Sequence, residues 1–313
     1  MAPSPFDPDR LSWPFAVLDG GLSTALEAAG HDLRDELWTA RLLIEAADAL
    51  EAAHRAFAAA GAEIVISASY QASVAGLVGA GASPSQARAA ITESTMLARR
   101  GAPAAMVAAS IGPYGAVLGD GSEYVGRYDL SRRALSDFHR ERCALILQGE
   151  PDLVAIETMP SVDEIEIVLE VFADLPPVPA WVTITGGDGA TTWAGDPAER
   201  VGELVSEHPA VVAVGVNCVA PRLVTPMLER LAASCGGRAL VAYPNRGRAW
   251  DGAQHCWVGD TPVGYLELGD LESQIAEWCA LGARLIGGCC GYGPDMVAHL
   301  RRIRDGHTDR VTG

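Results

Sequence analysis

The most informative absence in this sequence is lysine: all 23 basic residues are arginine, and the net charge is −17. Without lysine the chain cannot form a Schiff base with a carbonyl substrate or with pyridoxal phosphate, and it cannot build a Walker-A phosphate loop. The acidic excess also argues against general binding to nucleic acids or to anionic membranes. We therefore expect neither a nucleic acid nor a membrane among the partners.

The sequence also lacks a recognisable targeting segment and a disulfide pattern. The N-terminal stretch MAPSPFDPDRLSWPF has no basic region followed by an apolar one, as a signal peptide would. No window of about 20 residues is apolar enough to span a bilayer. The seven cysteines are odd in number and scattered, which gives no disulfide framework. These features predict a cytoplasmic protein whose thiols stay reduced.

Short apolar runs rich in Val, Ile and Ala alternate with longer amphipathic segments along the whole chain. The runs do not alternate polar with apolar residues, which is typical of strands buried on both faces of a parallel sheet. They lie at 15–19, 62–69, 105–112, 153–158, 180–185, 211–218, 239–245 and 283–290. The segments between them have the periodicity and end signals of eight helices.

Eight strands and eight helices in strict alternation predict an α/β fold of the (β/α)8 TIM-barrel type. The alternative is a doubly wound open sheet, but no GxGxxG motif follows the first strand. No repeat or linker is visible, so we expect one domain over residues 1–313. In a barrel the chemistry belongs at the carboxyl ends of the strands. These ends carry Asp19, Ser69, Gly112, Glu157, Thr185, Cys218, Asn245, Cys289 and Cys290.

Three of the seven cysteines therefore end strands six and eight, which are near neighbours in a barrel. Adjacent Cys289 and Cys290 could aim at one point where the chain turns, because the glycines around them relax the backbone limits. Three thiolates suit zinc, and three protein ligands leave a fourth position open, as in catalytic sites. The spacing alone leaves other readings open: buried core cysteines, or a strained disulfide between Cys289 and Cys290. We expect Cys143, Cys235 and Cys279 to be buried core residues. We expect Cys256 to be a bystander and not a metal ligand.

The expected zinc site does not resemble one that activates water. The sequence has no HExxH motif, and none of its seven histidines lies at a predicted strand end. Zinc with three thiolate ligands is electron-rich, which suits it to holding a further thiolate that stays nucleophilic. The site therefore points to alkylation of a substrate thiol.

Several segments resemble the homocysteine S-methyltransferase family, especially its members that use S-methylmethionine. The resemblance runs from about Leu18 to Cys290 and rests on VLDGGLSTALEAAG, ISASYQAS, SIGPYGAVLGDGSEYVGRY, AIETMPSVDE, VGVNC and GARLIGGCC. It implies a (β/α)8 barrel in which Cys218, Cys289 and Cys290 bind Zn²⁺ and the homocysteine sulfur completes the tetrahedron. The thiolate would then take a methyl group from a sulfonium donor, and methionine would form without cobalamin or folate.

The amino-acid end of homocysteine needs partners of its own. Two carboxylates at barrel-strand ends suit an α-ammonium group, and the resemblance assigns Asp19 and Glu157 to it. The substrate carboxylate could rest on the backbone N–H groups of Gly20 and Gly21, before a helix that the TALE stretch would cap through Thr24. The open alternatives are a turn role for Asp19 and an ion pair with arginine for Glu157. Asn217, beside Cys218, is also expected to contact substrate.

The residues after the second and third strands are expected to shape the donor pocket. Ser69, Tyr70 and Gln71 follow strand two, and Tyr114 lies in GPYG. Aromatic faces can hold a sulfonium, and the candidates are Tyr70, Tyr114, Trp193 and Trp250. The glycine-rich segment 120–128 is too polar for a core and is typical of a lid or rim.

Two loops depart from the family pattern and leave the donor open. After strand seven the chain has PNRGRAWDG in place of PNSGE with a following Tyr-Asp, so Arg246, Arg248 and Trp250 are unusual, and the loop TGGDGATTWAGDP after strand five is also atypical. Thr158 follows Glu157 where betaine-using relatives carry a tyrosine. S-methylmethionine is the expected donor, and S-adenosylmethionine, betaine or a selenium-containing acceptor stay open.

Two other classes of function compete with methyl transfer. A zinc barrel enzyme that uses bound water would need a histidine or another base near the metal, which the strand ends do not offer. If the protein were a non-catalytic thiol or metal sensor, the carboxylates of Asp19 and Glu157 would have no ligand to bind. The sequence indicates no oligomeric state.

Overall fold

The structure, a computed structural model, describes residues 8, 14–34, 37–246, 249–251, 256–258 and 271–311. Within 249–251, 256–258 and 307–311 only the backbone is described. The predicted site residues Arg248 and Trp250 therefore lie outside the described side chains.

Eight parallel strands form the barrel that the alternating pattern predicts. The strands are β1 (Ala16–Val17), β2 (Ile64–Ile66), β3 (Met106–Ile111), β4 (Leu153–Met159), β5 (Ala180–Ile184), β6 (Val211–Asn217), β7 (Ala239–Tyr243) and β10 (Ala283–Ile286). They pair in the order β1-β10-β7-β6-β5-β4-β3-β2, and a parallel bridge between Leu18 and Ile64 joins the two ends of that order. The (β/α)8 prediction is confirmed.

The segment after β7 contains a feature that the apolar pattern does not predict. Strands β8 (Ala249–Asp251) and β9 (Cys256–Val258) form an antiparallel pair between β7 and the next helix. Cys256, for which the sequence predicts a bystander role, begins β9. This pair belongs to the segment whose sequence departs from the family pattern.

All eight predicted helices are present in the segments between and after the strands. They are α3 (Ala47–Ala60), α5 (Pro84–Gly101), α7 (Arg132–Leu147), α8 (Val162–Ala173), α9 (Ala198–Ser206), α10 (Pro221–Ser234), α11 (Leu271–Leu281) and α12 (Pro294–Val311). The described residues also contain four shorter helices: α1 (Leu22–Ala28), α2 (Leu42–Glu45), α4 (Val74–Gly79) and α6 (Tyr114–Leu118). Among the described helices, none has the length and apolar character needed to cross a membrane.

Helix ends follow local chemistry. Ser83 and Gln86 form a capping box at the start of α5, where Pro84 occupies the first turn. Helix α3 ends at Gly61, whose φ of +108° is the left-handed conformation that glycine adopts without a Cβ penalty. These signals explain why helix positions could be read from the sequence.

Buried apolar side chains form two clusters, one on each side of the strands. The larger cluster lies between the strands and the helices. The smaller one fills the inside of the barrel and includes Ala16, Ile64, Ala155 and Trp181. The Trp181 indole N–H donates to the Tyr243 hydroxyl across 3.1 Å inside the barrel. Tyr243 thus connects the packed interior to the carboxyl end, where polar groups begin.

The strand pairing stops before most of the residues expected to act. β6 ends at Asn217 and β10 at Ile286, so Cys218, Cys289 and Cys290 lie in the turns that follow. On the same edge, the buried Arg142 guanidinium donates to the backbone carbonyls of Tyr70 and Gly112 and so ties the loops after β2 and β3 together. The carboxyl edge of the barrel is therefore built from fixed loops.

Glycine at position 215 is required by the approach of β7. A Cβ added there would collide with the carbonyl oxygen of Val241, whereas one added at Gly79 in α4 would meet open space. We expect Gly215→Ala to lower the free energy of unfolding by roughly 1–3 kcal/mol. Gly79→Ala, the matched control, should raise it by about 0.5–1 kcal/mol because the unfolded chain loses freedom. Urea denaturation measures both, and equal stabilities of the two variants would contradict this account of β6.

Candidate metal centre and substrate pocket

Three cysteine sulfur atoms meet at the carboxyl edge of the barrel. Cys218 Sγ lies 3.0 Å from Cys289 Sγ and 3.8 Å from Cys290 Sγ, and the last two are 3.9 Å apart. Cys218 and Cys290 are buried, whereas Cys289 is half-buried. The structure thus brings together the three thiols that the sequence selected, and no fourth metal-binding side chain joins them among the described residues.

The backbone at Cys218 has an uncommon conformation. Its φ is +52°, in the left-handed region, and Asn245 Nδ2 holds its carbonyl by a hydrogen bond of 2.9 Å. Such a conformation costs of order 1–3 kcal/mol and persists only where surrounding contacts enforce it. Here it carries the side chain of Cys218 from the end of β6 to the two cysteines that follow β10.

The glycines around Cys289 and Cys290 permit a close turn, as the sequence predicts. A Cβ on Gly287 would lie 2.6 Å from Leu18 Cβ, and Gly291 has φ +86° with Arg246 Cβ beside it. The Gly291 N–H donates to Thr24 Oγ1 at 2.8 Å. Thr24 lies inside α1, which begins at Leu22, so the predicted capping box starting at Thr24 is wrong. Its hydroxyl holds the cysteine turn instead.

The sulfur spacing fits a tetrahedral metal ion. Metal–sulfur bonds of about 2.3 Å at tetrahedral angles put sulfur atoms about 3.8 Å apart. Two of the three observed distances match that value, and the third would have to open by about 0.8 Å. Without a cation, Cys289 and Cys290 share hydrogen bonds with the Cys218 sulfur, which lower the pKa of Cys218 and raise the pKa of Cys289. The cluster can therefore hold a metal ion that replaces these thiol protons.

The sulfur cluster lies in the wall of a pocket of about 810 Å³, open solvent at its mouth included. Its lining combines apolar, aromatic and polar side chains with two carboxylates. The lining includes Trp38, Tyr70, Glu123, Tyr124, Glu157, Thr158, Asn217, Tyr243 and the three cysteines. No arginine or histidine belongs to this lining among the described residues. A ligand therefore meets thiols, aromatic rings and acidic groups, but no basic side chain.

Glu157 is a buried carboxylate with two hydroxyl partners. Its Oε1 accepts a hydrogen bond from Ser110 Oγ, and its Oε2 accepts one of 2.9 Å from Tyr243. Burial raises the pKa of Glu157 to about 7, although both hydrogen bonds act in the opposite direction. No arginine pairs with it in a salt bridge within the described part of the chain, so the ion-pair alternative has no support.

Asp19 lies two residues after β1, is only 1 % exposed and is not among the residues that line the pocket. Its Oδ2 accepts the Ile66 N–H at 2.8 Å, whereas its buried Oδ1 has no hydrogen-bond partner. Burial raises the pKa of Asp19 well above its usual range, and the charge of Glu157 adds to the effect. A buried carboxylate oxygen without a hydrogen-bond partner is costly. The contact of Asp19 with the substrate ammonium stays a prediction.

The described hydrogen bonds of the Asn217 side chain go to other residues of the protein. Its Oδ1 accepts from the Thr158 N–H at 2.7 Å and from Thr183 Oγ1 at 2.8 Å, and its Nδ2 donates to Thr158 Oγ1. Thr158 has a φ of +60°, a second left-handed residue at this edge. Asn217 lines the pocket, but its main visible task is to hold Thr158.

The sequence analysis did not single out several residues of the pocket wall, among them Trp38, Tyr243, Glu123 and Tyr124. Glu123 and Tyr124 form a short 3₁₀ turn in the segment expected to be a lid or rim. The Tyr124 hydroxyl is 4.0 Å from Cys218 Sγ, and Trp193 lies edge-on to its ring. Burial raises the pKa of Glu123 to about 7. The polar, glycine-rich composition signalled the loop, but no pattern singled out which side chains turn inward.

Some predicted contacts are not brought to the pocket. The Ser69 hydroxyl is fully buried and donates to the Ser110 carbonyl at 2.7 Å, and Tyr114 packs edge-on against Tyr128 and Phe138. The Gly21 N–H donates to the Tyr292 carbonyl at 2.9 Å, so this amide is not free for a substrate carboxylate. Gly20 and Gly21 do line the pocket, as do Tyr70 and Gln71. For Gly20 the amide contact stays a prediction.

Comparison with known proteins gives consistent results. A sequence profile described as homocysteine S-methyltransferase matches residues 16–304. Homocysteine S-methyltransferase from Escherichia coli is 38 % identical over 91 % of this chain and 94 % of its own, and homocysteine S-methyltransferase 4 from maize is 36 % identical over 95 % and 91 %. The metallated form of the Escherichia coli homocysteine methyltransferase MmuM superposes with a TM-score of 0.82, at 36 % identity, over 95 % of this chain and 99 % of that one.

The buried state of Glu157 makes stability depend on pH. Its pKa is about 7 in the folded protein against 4.5 ordinarily, so between these values the folded chain binds a proton that the unfolded chain has lost. The free energy of unfolding therefore falls as pH rises through that window. In metal-free protein, Glu157→Gln should remove roughly 3 kcal/mol of this decrease between pH 5 and 8.

Urea denaturation at both pH values measures the difference. The variant Glu229→Gln, which loses an exposed carboxylate on α10, is the matched control. Equal pH dependence in the wild-type protein and the Glu157→Gln variant would contradict the burial of the Glu157 carboxylate without an ion-pair partner.

Proposed function

Because the chain belongs to the homocysteine S-methyltransferase family, we propose that it transfers a methyl group from a sulfonium donor to the thiolate of L-homocysteine, giving methionine. The observation that carries the proposal is the three-thiol cluster in the wall of a pocket that also contains buried carboxylates. One part of this site suits a sulfur nucleophile, and the other suits the ammonium group of an amino acid. We also propose that residues 1–313 act as one domain.

We propose that Cys218, Cys289 and Cys290 hold Zn²⁺. The observed sulfur spacing supports a tetrahedral ion, and three thiolate donors favour zinc over hard cations such as magnesium. When bound, zinc supplies a Lewis acid that lowers the pKa of a substrate thiol and keeps it as thiolate at neutral pH. Free thiols are needed for this role, which favours the reducing cytoplasm, and the described cysteines are all free.

The acceptor's ammonium group is assigned to Glu157 and Asp19. Glu157 keeps its position through Ser110 and Tyr243, and Asp19 offers an oxygen that has no partner in the protein. Binding of a cation would draw the proton from Glu157, whose pKa is about 7. The substrate carboxylate would lie towards the backbone of Gly20 at the pocket wall. Asn217 and Thr158 position the wall between these groups and the thiols.

The proposed reaction is one displacement in which charge disappears. The homocysteine sulfur forms a bond to the methyl carbon, and the bond from that carbon to the donor sulfur breaks, with its electron pair left on the donor. A thiolate and a sulfonium become two neutral thioethers, so water, which stabilises the separate charges, would slow the step. The aromatic rings of Trp38, Tyr70 and Tyr124 line the pocket and limit access of water.

S-methylmethionine is the proposed donor. The chain has Thr158, not tyrosine, after Glu157, and Tyr70 lies beside Trp38 with ring centroids 6.3 Å apart. Electron-rich rings attract a sulfonium. Arg246, one of the departures from the family pattern, donates its backbone N–H to the Cys290 carbonyl at 2.9 Å and so lies against the metal turn.

Loss of any of the three clustered cysteines should remove the metal. We expect Cys218→Ser, Cys289→Ser and Cys290→Ser each to reduce bound zinc from one per chain towards zero and to reduce methyl transfer by roughly a thousandfold or more. Elemental analysis and circular dichroism measure metal content and folding. Cys279→Ser, a half-buried cysteine away from the cluster, is the matched control. Stoichiometric zinc in the triple variant would contradict the assignment.

The reaction itself is tested with labelled donors. Zinc-loaded protein and homocysteine are mixed separately with methyl-labelled S-methylmethionine, S-adenosylmethionine and betaine, and labelled methionine is counted. We expect S-methylmethionine to give the highest kcat/KM and betaine no transfer above background. Absence of label in methionine with every donor would contradict the proposed function.

A further inference from the structure

The segment Gly119–Gly126, here named the acidic loop, places an acidic side chain in the pocket wall that the mechanism above does not use. Glu123 is 7 % exposed, and its Oε2 is buried without a hydrogen-bond partner in the described residues. A carboxylate oxygen buried in this way is costly unless a ligand satisfies it. The Glu123 oxygen without a partner therefore indicates that a ligand group binds at this position.

Packing fixes the acidic loop rather than leaving it free to swing outward. A Cβ on Gly115 would lie 2.5 Å from the Glu123 nitrogen, and one on Gly126 would lie 2.9 Å from the Pro160 carbonyl oxygen. The loop is thus clamped between the segments that follow β3 and β4. This packing holds the backbone of Glu123, whose side chain lines the pocket.

The neighbours of Glu123 in the pocket are aromatic or negative. Burial raises the pKa of Tyr70, and the charge of Glu123 is the next largest cause. Burial also raises the pKa of Tyr124, with Cys218, Tyr70 and Cys290 as the next causes and Glu123 as a smaller one. The Tyr124 hydroxyl in turn lies 4.0 Å from Cys218 Sγ. Since no basic side chain lines the described pocket, the ionised form of Glu123 has no side-chain counter-charge there.

We propose that Glu123, with the rings of Tyr70 and Tyr124, forms the subsite that selects a positively charged methyl donor and holds its sulfonium beside the thiol cluster. This inference rests on the proposed function. The acceptor's ammonium group already has Glu157 and Asp19, so the second carboxylate of the lining is left for the donor, whose sulfonium and ammonium groups are both cationic. The aromatic rings of Tyr70 and Tyr124 favour the sulfonium at this position. Glu123 is a specificity-determining residue and takes no proton in the reaction.

The loss of charge during transfer gives this role a kinetic signature. The sulfonium is fully positive in the ground state and partly neutralised in the transition state, so a nearby carboxylate stabilises the bound donor more than the transition state. Removal of that carboxylate should weaken donor binding without slowing the bound complex. A residue that acts as a base or only supports the fold would lower kcat instead.

The test compares Glu123→Gln with the wild-type enzyme, both loaded with zinc and matched for metal content and melting temperature. We expect the KM for S-methylmethionine to rise roughly 10- to 100-fold, with kcat unchanged or higher. The dissociation constant of homocysteine, measured by calorimetry, should change less than about twofold because homocysteine uses other carboxylates. Asp129→Asn, which removes an exposed charge just beyond the acidic loop, is the matched control.

A neutral methyl donor separates charge recognition from structural support. Initial rates of methionine formation from homocysteine and methyl iodide should be equal in the wild-type enzyme and in Glu123→Gln, because no donor cation is present. Glu123→Asp, which keeps the charge, should recover part of the donor affinity. Equal slowing with methyl iodide and with S-methylmethionine would overturn the proposal, as would a lower kcat with unchanged donor KM.

Failure of this inference differs from failure of the proposed function. A wild-type enzyme that forms methionine from S-methylmethionine, together with a Glu123→Gln variant whose donor KM is unchanged within about twofold, overturns the donor subsite alone. A wild-type enzyme that transfers no methyl group from any sulfonium overturns both.

Discussion

Three sulfur atoms within 4 Å of one another are the constraint on which the rest of this structure depends. Three thiolates so close would repel one another unless a cation lies between them. The chain accepts uncommon conformations to build the cluster: Cys218 has a left-handed backbone, and Gly287 lies where a Cβ would meet Leu18. Thr24 in α1 and Asn245 after β7 then hold the two turns by hydrogen bonds. Much of the carboxyl edge of the barrel thus helps to hold the three cysteine sulfur atoms in place.

The pocket beside the cluster is an environment for positive ligands. Its lining has two carboxylates, with Asp19 behind them, and no arginine or histidine among the described residues. All three carboxyl groups have a raised pKa because burial opposes their charge. Each therefore gains most from a ligand that brings a cation. Methyl transfer from S-methylmethionine to homocysteine brings three cationic groups, the sulfonium and two ammonium groups. The step then removes the sulfonium charge, which a water-poor pocket favours.

Much of this arrangement could be predicted from the sequence because buried parallel strands and helix ends have local signals. The eight apolar runs located the strands, and the order of strands six and eight placed Cys218 near Cys289 and Cys290. Other features depend on contacts far apart in the chain, and local signals do not encode them. Thr24 has capping-box spacing, but its hydroxyl holds Gly291, 267 positions away. Ser69 follows a strand as substrate residues do, yet its hydroxyl turns to the Ser110 carbonyl, whereas Glu123 lies in a polar loop and turns inward.

The central claim is that the three cysteines present a zinc ion with room for the acceptor's sulfur. X-ray absorption at the zinc edge, which counts the sulfur neighbours of the metal, tests it directly. The account predicts three sulfur atoms at about 2.3 Å in zinc-loaded protein and four after saturation with homocysteine. The account would be contradicted by fewer than three sulfur neighbours in zinc-loaded protein without homocysteine. It would also be contradicted if the number of sulfur neighbours did not change on addition of homocysteine.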